Sequence, residues 1–134
     1  MTPRRREPIW VDRVVVDAVH ADTIQAHGGL PGIRDENALE SALARPRHRF
    51  AYGRRVDMAR LAACYGFGLT RNHPYRDGNK RIAFLVMIVF LELNGYEFEA
   101  TEAEVVTAMV RLSAGNMSEA SLAAWLRRHS RAIK

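Results

Sequence analysis

The run His73-Pro74-Tyr75-Arg76-Asp77-Gly78-Asn79-Lys80-Arg81 leads without a break into ten apolar residues, 82–91. Periodicity cannot separate a buried helix from a buried strand here, but the length and the leucine, methionine and alanine content favour a helix. Asn94-Gly95 would close it, so a helix is expected over residues 79–93. A helix N-terminus presents unpaired N–H groups and the positive end of the dipole, which together bind anions. The nine residues before it bring a histidine, a carboxylate, a glycine, an amide and two adjacent cations to that end. Such a loop is suited to hold a phosphate beside a base and a metal ligand.

Outward from this point the chain reads as helical. Asp57 can cap a helix whose stripe is Met58, Leu61, Ala62, Tyr65 and Leu69, ending near Asn72. Before it, Asp35 can cap a short helix over residues 36–44, and Pro46 stops it. Residues 46–56 carry Arg47, Arg49, Phe50, Tyr52 and Gly53 without a helical stripe, and read as an extended loop or hairpin. Val11, Val14, Val15 and Ala18 place a further helix ahead of Gly28-Gly29, although the valine triplet 14–16 is β-prone. Downstream, Thr101-Glu102-Ala103-Glu104 is a capping box ahead of the stripe Val105, Ala108, Met109 and Leu112. Ser118 caps a last helix with Leu122, Trp125, Leu126 and His129 on one face. The expectation is one all-α domain over residues 1–134, with a small β-hairpin near 46–56 and residues 1–9 as a flexible arm.

A chain of 134 residues can bury a real core, and 48% hydrophobic content excludes a mainly disordered one. The net charge of +5 sits in clusters at Arg4-Arg5-Arg6, residues 45–55, Lys80-Arg81 and residues 127–134, which suits a nucleotide, nucleic acid or acidic partner. The terminal clusters read as solubilising charge. Cys64 is the only cysteine, so no internal disulfide can form. No secretory leader is evident, and the apolar run at 82–91 is half of the ~20 residues a membrane span needs. A cytoplasmic protein is expected.

Each motif residue has a chemical reading. The imidazole of His73 can accept a hydroxyl proton near neutral pH. Asp77 can hold Mg²⁺, which takes one or two carboxylates plus phosphate oxygens and water; it could instead cap the helix. Gly78 lets the backbone turn and approach a ligand. Asn79 can cap the helix or bond a phosphate. Lys80 and Arg81 fall in the first helical turn, where the dipole disfavours cations unless an anion lies beside them. Arg71 could reach the same anion or stay in solvent. His20 and His27 share a helical face, but two histidines do not make a metal site, and both are expected at the surface.

The run 73–81 resembles the signature of the Fic/Doc family, His-Pro-Phe-x-(Asp/Glu)-Gly-Asn-(Gly/Lys)-Arg, with Tyr75 in place of phenylalanine. Residues 28–35 and 40–46 resemble the first half of its Doc, or death-on-curing, branch, and the likeness runs from about residue 10 to 129. The resemblance implies a helical bundle around a central buried helix. It implies ATP and Mg²⁺ as cofactors, His73 as base and Asp77 as metal ligand. Gly78, Asn79, Lys80 and Arg81 would then bind the phosphates, with Lys80 and Arg81 also catalytic. A flap beside the motif would align the target by strand pairing; Phe50 and Tyr52 are the candidate flap side chains.

Two reactions occur in the family. Members that transfer AMP usually carry glycine at the position of Lys80 and a second arginine at that of Phe84. Doc-like toxins carry the lysine and transfer the γ-phosphate to a threonine of elongation factor Tu, stopping protein synthesis. Lys80 and Phe84 favour the kinase reading, while Pro74 and Gly78 match the general Fic pattern, so AMP transfer stays as the alternative. Self-restrained members carry (Ser/Thr)-x-x-x-Glu; no serine or threonine here has a glutamate four residues on. Restraint in trans by an antitoxin is implied. A basic helical module that binds nucleic acid without catalysis is a third reading. It is disfavoured, because DNA binding has no use for His73 and Asp77.

Overall fold

The computed structural model describes residues 6–53 and 55–133. Arg4, Arg5, Arg54 and Lys134 of the basic clusters lie outside the described residues, as do residues 1–5 of the expected arm. The described residues form helices α1 (Arg13–His27), α2 (Glu36–Tyr52), α3 (Met58–Asn72), α4 (Asn79–Leu93), α5 (Glu102–Ser113) and α6 (Glu119–Arg128). Strands β1 (Tyr96–Phe98) and β2 (Ser130–Ala132) pair antiparallel, Glu97 opposite Arg131. The expected caps are in place: Asp35, Asp57 and Ser118 accept backbone N–H groups of the first turns of α2, α3 and α6, and Thr101–Glu104 is a reciprocal box.

The centre of the fold is a helix pair. α4 buries Ile82, Ala83, Val86, Met87, Phe90 and Leu91. α3 packs against α2, α4 and α6 and buries residues 61–66 without interruption. The two helices close tightly because position 66 is glycine: a Cβ there would stand 2.2 Å from Met87 Sδ. At the N-terminal end Ile9 exchanges hydrogen bonds with the Asn94 side chain. Trp10 stacks on Phe90, and the Val11 N–H donates to the buried Tyr65 hydroxyl. From Ile9 onward, therefore, the chain is tied to the core.

Three expectations are corrected. Residues 46–52 are helical, not a hairpin: α2 continues through Pro46. An internal proline costs a helix ~3 kcal/mol. The apolar stripe Leu39, Ala42, Leu43, Pro46 and Phe50 nonetheless runs on at helical spacing, with Phe50 edge-on to Trp10, and its burial outweighs that cost. The antiparallel pair is formed instead by residues 96–98 and 130–132. Second, of the stripe Val11, Val14, Val15 and Ala18 only Val11, which precedes α1, is buried. Val14 is 78% exposed, and the buried residues of the helix are Val16, His20 and Thr23. Third, His20 is buried rather than at the surface, while His27 is exposed. The helix turns this mixed face inward because the polar backbone of the motif loop lies beneath it.

Candidate active site

The site begins where α3 ends. His73 is the C-cap of α3 in the left-handed region (φ 50°), the one such non-glycine residue among those described. Histidine is among the side chains that tolerate this conformation. Its N–H donates to Leu69 O, and Arg34 donates from Nε to the His73 carbonyl at 2.7 Å and from Nη2 to the Asn72 carbonyl at 2.9 Å. These bonds satisfy the end of α3 and direct the chain out of the helix. The His73 ring remains exposed, with no hydrogen bond to any described residue.

The loop from 74 to 78 is braced from three sides. Residues 28–35 run beside it: Arg34 and Asp35 N–H groups donate to Pro74 O, the Arg76 N–H donates to Gly32 O, and Ile33 and Tyr75 form an antiparallel bridge. Inside the loop, the buried Asn79 amide receives the Tyr75 N–H at 2.9 Å and donates to the Tyr75 carbonyl at 2.8 Å. Beneath it, the Tyr75 ring is buried and its hydroxyl donates to Asp17 at 2.7 Å. Burial first, then Asp17, pushes that phenol far above its ordinary range, so it stays a neutral donor. Asp17 in turn pairs with Arg13, which also holds Glu36 and Glu40 across on α2.

Asp77 does not cap α4; the N-cap is Gly78, left-handed at φ 79°. The Asp77 carboxylate instead receives the Leu30 N–H on Oδ2 at 2.6 Å, and no described residue bonds its Oδ1. That approach needs glycine at position 29, where a Cβ would lie 3.0 Å from Asp77 Cβ. One carboxylate with a pinned and an open oxygen fits a Mg²⁺ ion held otherwise by phosphates and water. Among the described residues no three histidine, cysteine, aspartate or glutamate side chains gather as a metal cluster.

A cleft of about 540 Å³ brings together His73, Asp77, Gly78, Asn79, Lys80, Arg81 and Phe84. Its far wall is apolar: Val105, Val106, Met109 and Val110 of α5, with Val106 and Val110 half-exposed. Lys80 and Arg81 are exposed, and no described carboxylate pairs with either. Phe84 packs edge-on against Phe98 and lines the cleft with an aromatic ring.

The chain matches the model of the Fic/DOC family over residues 10–91. It belongs to the Fic/DOC family. "Protein kinase doc" of Escherichia phage P1 is 35% identical over 112 residues, covering 83% of this chain and 87% of that protein. "Toxin Doc" of Mycolicibacterium smegmatis is 39% identical over 88 residues, covering 63% of this chain and 65% of that protein.

Of the residues expected at the Fic/DOC site, His73, Asp77, Gly78, Asn79, Lys80 and Arg81 come together. Asn79 is there as the brace of the loop, both amide atoms engaged with Tyr75. Arg71 does not line the cleft; its guanidinium lies over the Phe67 ring, 5.3 Å from the centroid. Phe50 packs on Trp10, and Tyr52 lines a separate pocket with Arg45, His48, Arg49 and Arg55. Residues 46–52, expected to be extended, are helical, whereas the extended segment beside the motif is residues 28–35. The Gly28-Gly29 and Pro31-Gly32 pairs were its signal in the sequence. Arg34 and His20 were missed as well. Their roles depend on contacts across 38 to 57 positions of chain.

Among the described residues no helix is long and apolar enough to cross a membrane. Cys64 is buried, which pushes its thiol up to about 11 and leaves it unreactive.

Proposed function

We propose that this protein is a Doc-class toxin that transfers the γ-phosphate of ATP to a hydroxyl of a protein target. The carrying observation is the pair Lys80 and Arg81, unpartnered by any described carboxylate at the N-terminus of α4, with His73 and Asp77 in the same cleft. Two adjacent cations at the positive end of a helix are tolerable beside a polyanion. The relative named as a protein kinase supports phosphoryl transfer, and Phe84 supports it over AMP transfer because the second arginine is missing.

In this reading the triphosphate lies across the N–H groups of α4, with Lys80 and Arg81 on its oxygens. Asp77 would hold Mg²⁺, which neutralises developing charge on the phosphates. The target hydroxyl attacks the γ-phosphorus, the bond to the β–γ bridging oxygen breaks, ADP leaves, and His73 takes the hydroxyl proton. The apolar wall of Val105, Val106, Met109 and Val110 offers a surface for the nucleobase. The target class is a translation factor, with a threonine of elongation factor Tu as the specific candidate, and the chain is restrained by a separate antitoxin.

Expression of the chain alone should stop incorporation of labelled amino acids in growing cells, and the His73→Ala form should not. Purified elongation factor Tu incubated with the protein, ATP and Mg²⁺ should gain the mass of one phosphate. Unaltered protein synthesis with soluble, folded wild type would contradict the toxin reading.

A further inference from the structure

His20 lies outside the motif, on α1, and nothing in the transfer chemistry above uses it. It is 4% exposed and its ring stacks flat on Tyr75, centroids 3.7 Å apart and planes 11° from parallel. Its Nε2 is 2.8 Å from the Asp77 carbonyl oxygen. A carbonyl only accepts, so Nε2 carries the hydrogen and donates. The peptide joining Asp77 to Gly78 is trans, and in a trans peptide the C=O and N–H point in opposite directions. A carbonyl drawn down onto His20 therefore sends the Gly78 N–H away from α1. Gly78 lines the cleft, and no described group accepts its N–H.

We propose that His20 is a positioning residue that locks the Asp77–Gly78 peptide plane, so that the Gly78 N–H faces the phosphates as a donor. The lock is needed because the turn is unusually free to flip. Glycine at φ 79° accepts either orientation of the preceding peptide at little cost. The flipped plane would present a carbonyl oxygen to the triphosphate and turn an attraction into a repulsion. The stack on Tyr75 holds the imidazole in line, and the Tyr75 bond to Asp17 holds the stack. This inference rests on the nucleotide reading of the cleft.

His20→Phe tests it, because phenylalanine keeps a ring over Tyr75 and removes the donor. In ¹⁵N–¹H spectra of wild type, the Gly78 amide should shift on adding Mg²⁺ and ATP. In folded His20→Phe that shift should be lost, and kcat/KM should fall by roughly tenfold to hundredfold, the usual cost of an outer-shell partner. His20→Gln, which returns a side-chain N–H without the aromatic stack, should recover part of both. If the phenylalanine variant does not fold, His20→Leu, which also lacks the donor, takes its place: an unchanged Gly78 response in the folded leucine variant overturns the proposal. A wild-type response that persists unchanged in His20→Phe overturns this inference alone. No response and no transfer in wild type overturns the nucleotide reading and this inference with it.

Discussion

Two basic concavities of about 540 Å³ lie on this molecule, and their cations are held in opposite ways. At the end of α2, Arg45, Arg49 and Arg60 converge on the buried carboxylate of Glu119 at 2.8, 3.9 and 3.3 Å, and Arg45 also covers the Phe67 ring. Here the charge ties α2 and α3 to the start of α6. In the first turn of α4, Lys80 and Arg81 have no described counter-ion and line the cleft. Counting arginines would rank the first concavity higher. The three arginines of the first have a shared protein anion in Glu119, whereas Lys80 and Arg81 have none among the described residues, and beside them a histidine and a carboxylate stand in the same cleft.

The largest effect that would sharpen this contrast is on the chemistry. His73→Ala should lower transfer by ~10² to 10⁴, the worth of a positioned base, while the thermal midpoint changes little. A folded variant with near-normal transfer would remove His73 from the reaction. Lys80→Gly should lower phosphoryl transfer by ~10², as expected for one lost electrostatic donor, read from single-turnover rates at saturating Mg²⁺. Asp77→Asn should demand far more Mg²⁺ for the same rate; full activity of wild type in excess chelator would exclude the metal role.

Glu119 should behave in the reverse manner. Glu119→Ala leaves three arginines without their carboxylate and should lower stability while leaving transfer unchanged. Breaking a fully buried pair costs ~3–5 kcal/mol. Arg45 and Arg49 keep 48% and 43% of their side chains exposed and can turn to water, so ~1–2 kcal/mol is expected in urea unfolding. A large loss of activity from a folded Glu119→Ala protein would break the contrast.

The smallest effect is the pH dependence of the α3 cap. The hydrogen bond from Arg127 holds the Asp57 carboxyl below its ordinary value of 3.8. A depressed folded value stabilises above the ordinary value, and that contribution is lost as pH falls below it through the lowered one. Arg127→Ala should remove ~0.5 kcal/mol at neutral pH and flatten the acid limb of the stability profile, because the pair is half-exposed.

The motif, the helices that flank it and the caps Asp35, Asp57, Thr101 and Ser118 were legible because each rests on residues close in sequence. Asp57 and Thr101 reach backbone groups three positions on. The failures share the opposite cause. Pro46 is a local stop signal, and only the packing of Phe50 on Trp10, forty positions earlier, shows why the helix continues. The buried face of α1 carries His20 and Thr23 because Tyr75 and the Asp77 carbonyl lie beneath it. A stripe of valines could not reveal that polar surface. The extended segment beside the motif was not legible for the same reason: residues 28–35 become its neighbour only through bonds to Pro74 and Arg76.

The position of the label after transfer from ATP tests the central claim most directly. With purified target, Mg²⁺ and ATP labelled at the γ-phosphate, the target should become radioactive; with ATP labelled at the α-phosphate it should not. Label from the α position on the target would contradict the kinase assignment.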